Sequence, residues 1–576
     1  MIPRPKVPPN INNLTFSKLL IEVLFPHLNK LHDINEDYNY WELLILPNIQ
    51  LMSERLTDRF LLVKEGSKFN NIKKSTKVSD NNDFIQNPLF WFSQSPENEE
   101  LILIKITQFL ERSSVYSDLN LSKESKQQEF INQPFKFITL LLSLKRLLRL
   151  VLDKYLSFPF RLLKKEFKLR KFRKAEGSDV FIVRDFLTRE SKNLLKNKVK
   201  FIQSSDLAFY LAERNFKKLI SKDQKKFYNF RNRSLNLSPL IAQTPELDLF
   251  IEFLEENLLS LLPAYCIEEF TYHRSFFKNI NSQYIISDSI VFWDAISRHA
   301  IADQKSKGAK CLVFQHGGGF DIEYYDSFEK MEREFADNFF SWRNTDDALG
   351  IVSRKSLIIA SKQFNKLDMV NPTIDVLILG PMFKDFHIYN NGQHPFENSK
   401  VANRLIKLIN LLEKHGFSPR YRPYGWREDE ISISRGRRLG KVPSIHEEII
   451  NARIVICCKP TTTVNDCLAL GCHPLLFFGD EIVAKDSVKN FFNELGEAKF
   501  YFNDPQKCID HILTLNDGRP EVSQKTKEIF NQCFGGNIAS SDQVAKIIEG
   551  LLINARATAT RCCSPPDNSE GLWSYL

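Results

Sequence analysis

The chain of 576 residues is short of the features that fix a protein class at a glance. Gly is sparse at 21 residues, and Met (5) and Trp (6) are rarer still. No uncharged apolar run approaches the roughly 18 residues that a membrane-spanning helix needs. The N-terminus, Met1-Ile2-Pro3-Arg4-Pro5-Lys6, lacks the apolar core of a secretory signal. The ten cysteines form no CxxC pair and no regular framework, which argues against a disulfide scaffold. No Cys/His pairing has the spacing of a zinc site. The expectation is a cytoplasmic chain with no metal and no cofactor, in which Cys457 and Cys458 are buried, reduced thiols.

What is present is ordinary in bulk. Hydrophobic residues make up 43% and charged residues 26%, as in soluble globular proteins. The length is too great for one core and predicts three or four domain-sized units. The net charge of +9 is concentrated: Lys145 to Lys174 holds twelve Lys/Arg and two acidic residues, leaving −1 for everything else.

Residues 1–135 read as a mainly helical region, with apolar residues at helical spacing (Leu19, Leu20, Val23, Leu24) and a long polar loop from Lys64 to Asn87. Residues 136–175 form a basic amphipathic segment. Lys145, Arg146 and Arg149 share one helical face, opposite Leu144, Leu147, Leu148 and Val151. Residues 138–174 could thus rest on an anionic membrane surface, at about 1 kcal/mol per cation. The plainer alternative is a solvated basic face. No nucleic-acid motif accompanies the charge, so no nucleic-acid partner is expected.

After Gly177 short strands alternate with helices. Val180–Val183, Val199–Ile202, Tyr284–Ser287 and Cys311–Phe314 form one series. Val376–Leu379, Arg420–Arg422, Ile454–Cys457 and Leu475–Phe478 form another. Such alternation predicts an α/β fold of two parallel sheets facing a cleft, in two Rossmann-like domains over residues 176–365 and 366–555. Ligands then belong at the carboxyl ends of the strands. Residues 556–576 read as a disordered tail.

Three loops carry candidate chemistry. Gln315-His316-Gly317-Gly318-Gly319 follows an apolar strand, and three consecutive glycines are costly to order without a reason. They let a ligand approach the backbone, with Gln315 pointing into the cleft and His316 available as a base. Arg422-Pro423-Tyr424-Gly425-Trp426 offers a bidentate phosphate donor in Arg422 and stacking surfaces in Tyr424 and Trp426. In Lys459-Pro460-Thr461-Thr462-Thr463 through Gly471-Cys472-His473-Pro474, Thr462 or Thr463 caps a short helix that Gly471 ends. Its N-terminus is an anion site, and Asp466 lies one turn inside, within reach of a ribose hydroxyl.

The order strand, Thr loop, short helix, Gly-x-x-Pro is similar to the donor-binding half of GT-B glycosyltransferases. More narrowly, the chain resembles a family of transferases encoded in bacterial O-antigen and surface-polysaccharide clusters. Along residues 10 to 550 the matching elements are Tyr40-Trp41 with Asp58-Arg59, Phe292-Trp293, Gly308-Ala309-Lys310 and Gln315-His316-Gly317-Gly318. Glu332, Asp337 with Trp342, Gly380-Pro381, Tyr424-Gly425-Trp426 and the Thr461 loop complete the set. The chain departs from the pattern at Phe320-Asp321 (expected Tyr-Gly), Arg343 (expected Gly) and Asp466 (expected Glu).

The resemblance implies sugar transfer from a nucleotide-sugar donor to a lipid-linked surface glycan, on the inner face of the cytoplasmic membrane. Arg422, Thr461, Thr462, Thr463 and Asp466 would hold the nucleotide, while Gln315, Gly317, Gly318, Gly319, Tyr424 and Trp426 meet the substrate. His316, Glu332 and Asp337 are the candidate bases. Helix dipole and Arg charge would stabilise the leaving phosphate without a metal. A polyol-phosphate transferase of the glycerophosphotransferase type and a non-catalytic scaffold of polysaccharide assembly are the competing readings, with a nucleotide-sugar epimerase behind them.

Overall fold

A computed structural model describes residues 13–67, 102, 105–110, 112, 180–182, 201–203, 225–241, 247–277, 280–287, 295–315, 317–323, 327–343, 371–381, 398–423, 444–515, 519–535 and 545–550. The basic segment at 136–175 and the tail at 556–576 lie outside these residues. Among the described residues no helix is long and apolar enough to cross a membrane.

Two helices open the chain, α1 (Asn13–His32) and α2 (Tyr38–Ser67). Asp37 starts α2 by accepting the Tyr40 N–H at 2.8 Å, the usual cap chemistry. The Lys64–Asn87 stretch therefore begins as helix and not as loop, since α2 runs on to Ser67. Trp41 ties the pair together: its indole N–H donates to Asn29 Oδ1 at 2.8 Å, and its ring stacks on Phe270 at 5.0 Å.

Among the described residues, ten short strands make two five-stranded parallel sheets in a mixed α/β fold. The first contains β1 (Val180–Ile182), β2 (Phe201–Gln203), β3 (Tyr284–Ser287), β4 (Lys310–Phe314) and β5 (Asn338–Phe340), in the order β2-β1-β3-β4-β5. The second contains β6 (Ile374–Leu379), β7 (Pro419–Arg422), β8 (Ala452–Cys457), β9 (Leu475–Phe477) and β10 (Tyr501–Phe502), in the order β10-β9-β8-β6-β7. Counted from its own first strand, each sheet runs 2-1-3-4-5. In such sheets the crevice lies where the order reverses, here between β1 and β3 and between β6 and β8. Runs such as Leu312-Val313-Phe314 and Ile454-Val455-Ile456-Cys457 are buried throughout, as expected of parallel strands covered on both faces.

The covering helices are α3 (Asp248–Leu261), α4 (Phe270–Phe277), α5 (Ala295–Ser306) and α6 (Ser327–Phe335) in the first half. The second half has α7 (Asn398–Lys414), α8 (Ile445–Ile450), α9 (Thr462–Ala469), α10 (Asp486–Glu497), α11 (Pro505–Thr514) and α12 (Gln524–Phe534). The N-terminal helices share one continuous core with the first sheet: Leu24, Trp41 and Leu44 join Ile285, Cys311 and Val313. A second core surrounds the other sheet. Ile322 and Trp342, which follow first-sheet strands in the chain, pack into that second core. A one-residue antiparallel bridge, Glu323 with Ala484, adds backbone pairing at the same junction. Cys457 and Cys458 are both buried and free of disulfides.

Candidate active site at the junction of the two sheets

The carboxyl ends of β4, β5 and β8 meet at this junction. After β4, Gln315 is buried. Its Oε1 accepts from the Trp342 N–H at 2.8 Å and lies 2.9 Å from the Ser341 hydroxyl; its Nε2 donates to Gly317 O at 2.7 Å. Gln315 thus pins the β4 loop to the end of β5. The sequence pattern placed it pointing into a cleft; its hydrogen bonds make it a brace of the loop.

Gly318 reaches across to the second sheet. Its N–H donates to the Thr462 hydroxyl at 3.1 Å. A Cβ built on Gly318 would lie 2.3 Å from Thr462 N and 2.7 Å from Asn465 Oδ1, so only glycine permits this approach. The requirement at Gly318 is thus close backbone packing against α9. By contrast, a Cβ on Gly317 would meet only the Phe320 ring, at 3.5 Å. The two loops expected on opposite walls of a cleft are in direct contact at this point.

The start of α9 also differs from the sequence reading. Thr461, and neither Thr462 nor Thr463, occupies the cap position, and it makes no side-chain cap bond. Its hydroxyl lies 3.1 Å from that of Thr463, while Thr462 is used by Gly318. Gly471 ends the helix region with φ of 75°, the left-handed stop that its position predicts. Asn465 binds Phe534 O at the end of α12, and Gly535 (φ 73°) sits flush on the Trp342 carbonyl. Arg343 donates through Nε to Gln532 O at 3.0 Å. The end of α12 is therefore held by residues from both sheets.

Buried charge concentrates here. Glu323 and Lys459, 1% and 5% exposed, pair at 3.2 Å. Glu329 accepts both Lys485 (2.8 Å) and Arg333 (2.9 Å), and also the Asp321 N–H. Burial pushes the Glu329 carboxyl above its ordinary range, with Asp321 adding to the shift and Lys485 opposing it. Asp321 adopts φ of 64°, a region that glycine enters at no steric cost, and its carbonyl accepts Arg343 Nη1 at 3.0 Å. Asp321 and Arg343 are thus bonded to each other.

On the second sheet a further group lines the same end. Arg422, at the end of β7, pairs with Glu448 of α8, and Arg420 reaches the same carboxylate at 2.9 Å. Asp466 lies 3.3 Å from His446 Nε2. Gly380, at the end of β6, donates to Arg422 O at 2.8 Å and leaves no room for a Cβ against the Tyr421 phenol.

The candidate bases fare differently. Glu332 is fully buried on α6, a helix packed against α2 and β4. Asp337 precedes β5 at its amino end, where it accepts the Cys311 N–H at 2.7 Å and pairs with Lys305 at 3.1 Å. That is the end of the sheet opposite the loops, so its placement is that of an anchor. His316, Tyr424 and Trp426 lie outside the described residues. Among the described residues no group of three His, Cys, Asp or Glu is placed to hold a metal ion.

Residues 11–517 match the LIC12162 family transferase. The chain belongs to the LIC12162 transferase family. Its activity class is accordingly group transfer by an enzyme. No curated protein and no solved structure matches the chain. The charged residues of this region to which the sequence reading gave no role are Glu323, Lys459, Glu329, Lys485, His446 and Glu448. One signal was available: Ser444-Ile445-His446-Glu447 is a capping box, and it fixes the helix that carries His446 and Glu448.

Proposed function

We propose that this LIC12162 family member is a glycosyltransferase of GT-B type, moving a sugar from a nucleotide donor to a lipid-linked surface glycan. The observation that carries the reading is the shared 2-1-3-4-5 order of two parallel sheets whose carboxyl ends meet at Gly318 and Thr462. Two parallel sheets that meet at their ligand-binding ends would let a donor on one side face an acceptor on the other. The nucleotide sits at the β6/β8 reversal, beside Gly380, Arg422 and the Thr461–Thr463 loop. The acceptor enters from the first sheet, and the basic segment at 138–174 holds the enzyme on an anionic membrane where lipid-linked acceptors reside.

His316 is the base in this reading. It lies outside the described residues, and its chain neighbours are Gln315, bonded to the end of β5, and the loop whose Gly318 meets Thr462. Glu332 has no route to an acceptor without opening the core, and Asp337 is at the wrong end of the sheet. Gly318 also covers the first N–H of α9, so donor entry is coupled to separation of the two loops.

Purified protein melted with a panel of nucleotide sugars and nucleotides, CMP included, tests this reading. Stabilisation by one nucleotide class is expected, followed by sugar transfer with that donor on lipid-linked acceptor. Stabilisation by none, or transfer of a polyol phosphate instead, removes it.

A further inference from the structure

Asp466 is 4% exposed, and its Oδ1 lies 3.3 Å from the ring Nε2 of His446, whose side chain keeps 18% of its surface. A partly accessible imidazole thus rests on a buried carboxylate. A similar arrangement involves the same helix: Arg422, 22% accessible, rests on Glu448, which is 1% accessible. Both pairs depend on α8, which supplies His446 to one and Glu448 to the other. The Ser444–Glu447 capping box fixes the start of this helix, with bonds of 3.1 and 2.9 Å. A carboxylate behind a ring N–H holds the imidazole in one orientation and leaves its other nitrogen for a ligand.

We infer that His446 is a phosphate-binding residue of the donor site, and that Asp466 is a positioning residue acting through it. This rests on the nucleotide-donor reading above and deepens it. His446 supplies a donor to a phosphate at the carboxyl end of the second sheet, in addition to Arg422 at the end of β7. Each donor is backed by a carboxylate too deeply placed to repel the anion by direct contact. Asp466, turned toward His446 and buried, is then not the group that holds a ribose hydroxyl.

The test compares affinities of the full-length protein for a nucleotide and for the matching nucleoside, by ligand-observed NMR or calorimetry, using CMP, UDP, GDP and ADP as probes. His446→Ala, His446→Gln, Asp466→Asn and Asp466→Glu are measured against wild type, each with a melting curve. Nucleotide affinity is expected to fall about tenfold in His446→Ala and comparably in Asp466→Asn. Asp466→Glu recovers part of it, and nucleoside affinity is unchanged in all of them. If Asp466→Asn weakens nucleoside and nucleotide equally, Asp466 contacts ribose and the inference is overturned. It is also overturned if both His446 variants bind nucleotide within about twofold of wild type. Should wild type bind no nucleotide at all, the donor reading itself falls first, and this inference falls with it.

Discussion

Gly318 donates its backbone N–H to the Thr462 hydroxyl at 3.1 Å, joining the loop after β4 to the helix behind β8. The contact makes one site out of two sheets. It also turns a glycine-rich run into a graded set of constraints, because neighbouring glycines meet different surroundings.

Gly318→Ala forces a Cβ to within 2.3 Å of backbone, so the loops must part. The expected cost is about 1–3 kcal/mol of stability, and, because the loops then already stand apart, nucleotide binding should weaken less than stability. Gly317→Ala meets only the Phe320 ring at 3.5 Å and should melt with wild type. Melting curves and nucleotide affinities of both variants check this. Equal behaviour of the two would show that the Gly318 approach is not required.

Asp321 and Arg343 form a second linked pair. Asp321 sits at φ of 64° and places its carboxylate near the Ser341 hydroxyl (3.1 Å), while its carbonyl accepts from Arg343. Asp321→Ala keeps the backbone strain and loses the side-chain bonds, so it should be less stable than Asp321→Gly by about 1–2 kcal/mol. Asp321→Gly and Arg343→Gly together should cost less than the sum of the single changes. Chemical denaturation of the four variants measures both statements.

Glu323 and Lys459 are an ion pair removed from water at the junction. Glu323→Gln leaves Lys459 buried without this counter-charge, and a loss of about 3 kcal/mol is expected. Replacing both with Gln and Met should recover much of it. A thermal or denaturant series on the two singles and the double separates these outcomes.

Acid should destabilise the fold through buried histidines. Burial depresses His32 and His473 to about 4 and lowers His299 as well. Unfolded imidazole titrates near 6.5, so between about pH 6.5 and 4 the unfolded chain binds more protons than the folded one. The stabilising contribution is therefore complete above about pH 6.5 and is lost as the pH falls. For His32 alone the displacement is worth on the order of 3 kcal/mol at the acid end. Stability against pH for wild type and His32→Gln should diverge across this window; parallel curves would assign the acid sensitivity elsewhere.

Much of the scaffold could be read from sequence because strands covered on both faces are written as continuous apolar runs, as in Val376–Leu379 and Ile454–Cys457. β5 and β10 escaped because three and two residues carry no period. Long-range charge pairing escaped for a different reason. Glu323 with Lys459 and Glu329 with Lys485 depend on how two sheets meet, and nothing local in either segment names the partner. Gln315 shows the limit from the other side. Its place at a strand end beside glycines suggested a ligand, and nothing local foretold that its carbonyl meets Trp342 and its amide Gly317. His446 could have been noticed through the capping box that carries it, but its partner Asp466 lies twenty residues on, across a strand.

A crystal structure of the full chain with its stabilising nucleotide bound tests the central claim most directly. The account places the phosphates at the carboxyl end of the second sheet, between Gly380 and the Thr461–Thr463 loop and within reach of Arg422, with Gly318 drawn back from Thr462. A nucleotide held at the first sheet, or one bound away from the junction with the Gly318–Thr462 contact intact, would contradict it.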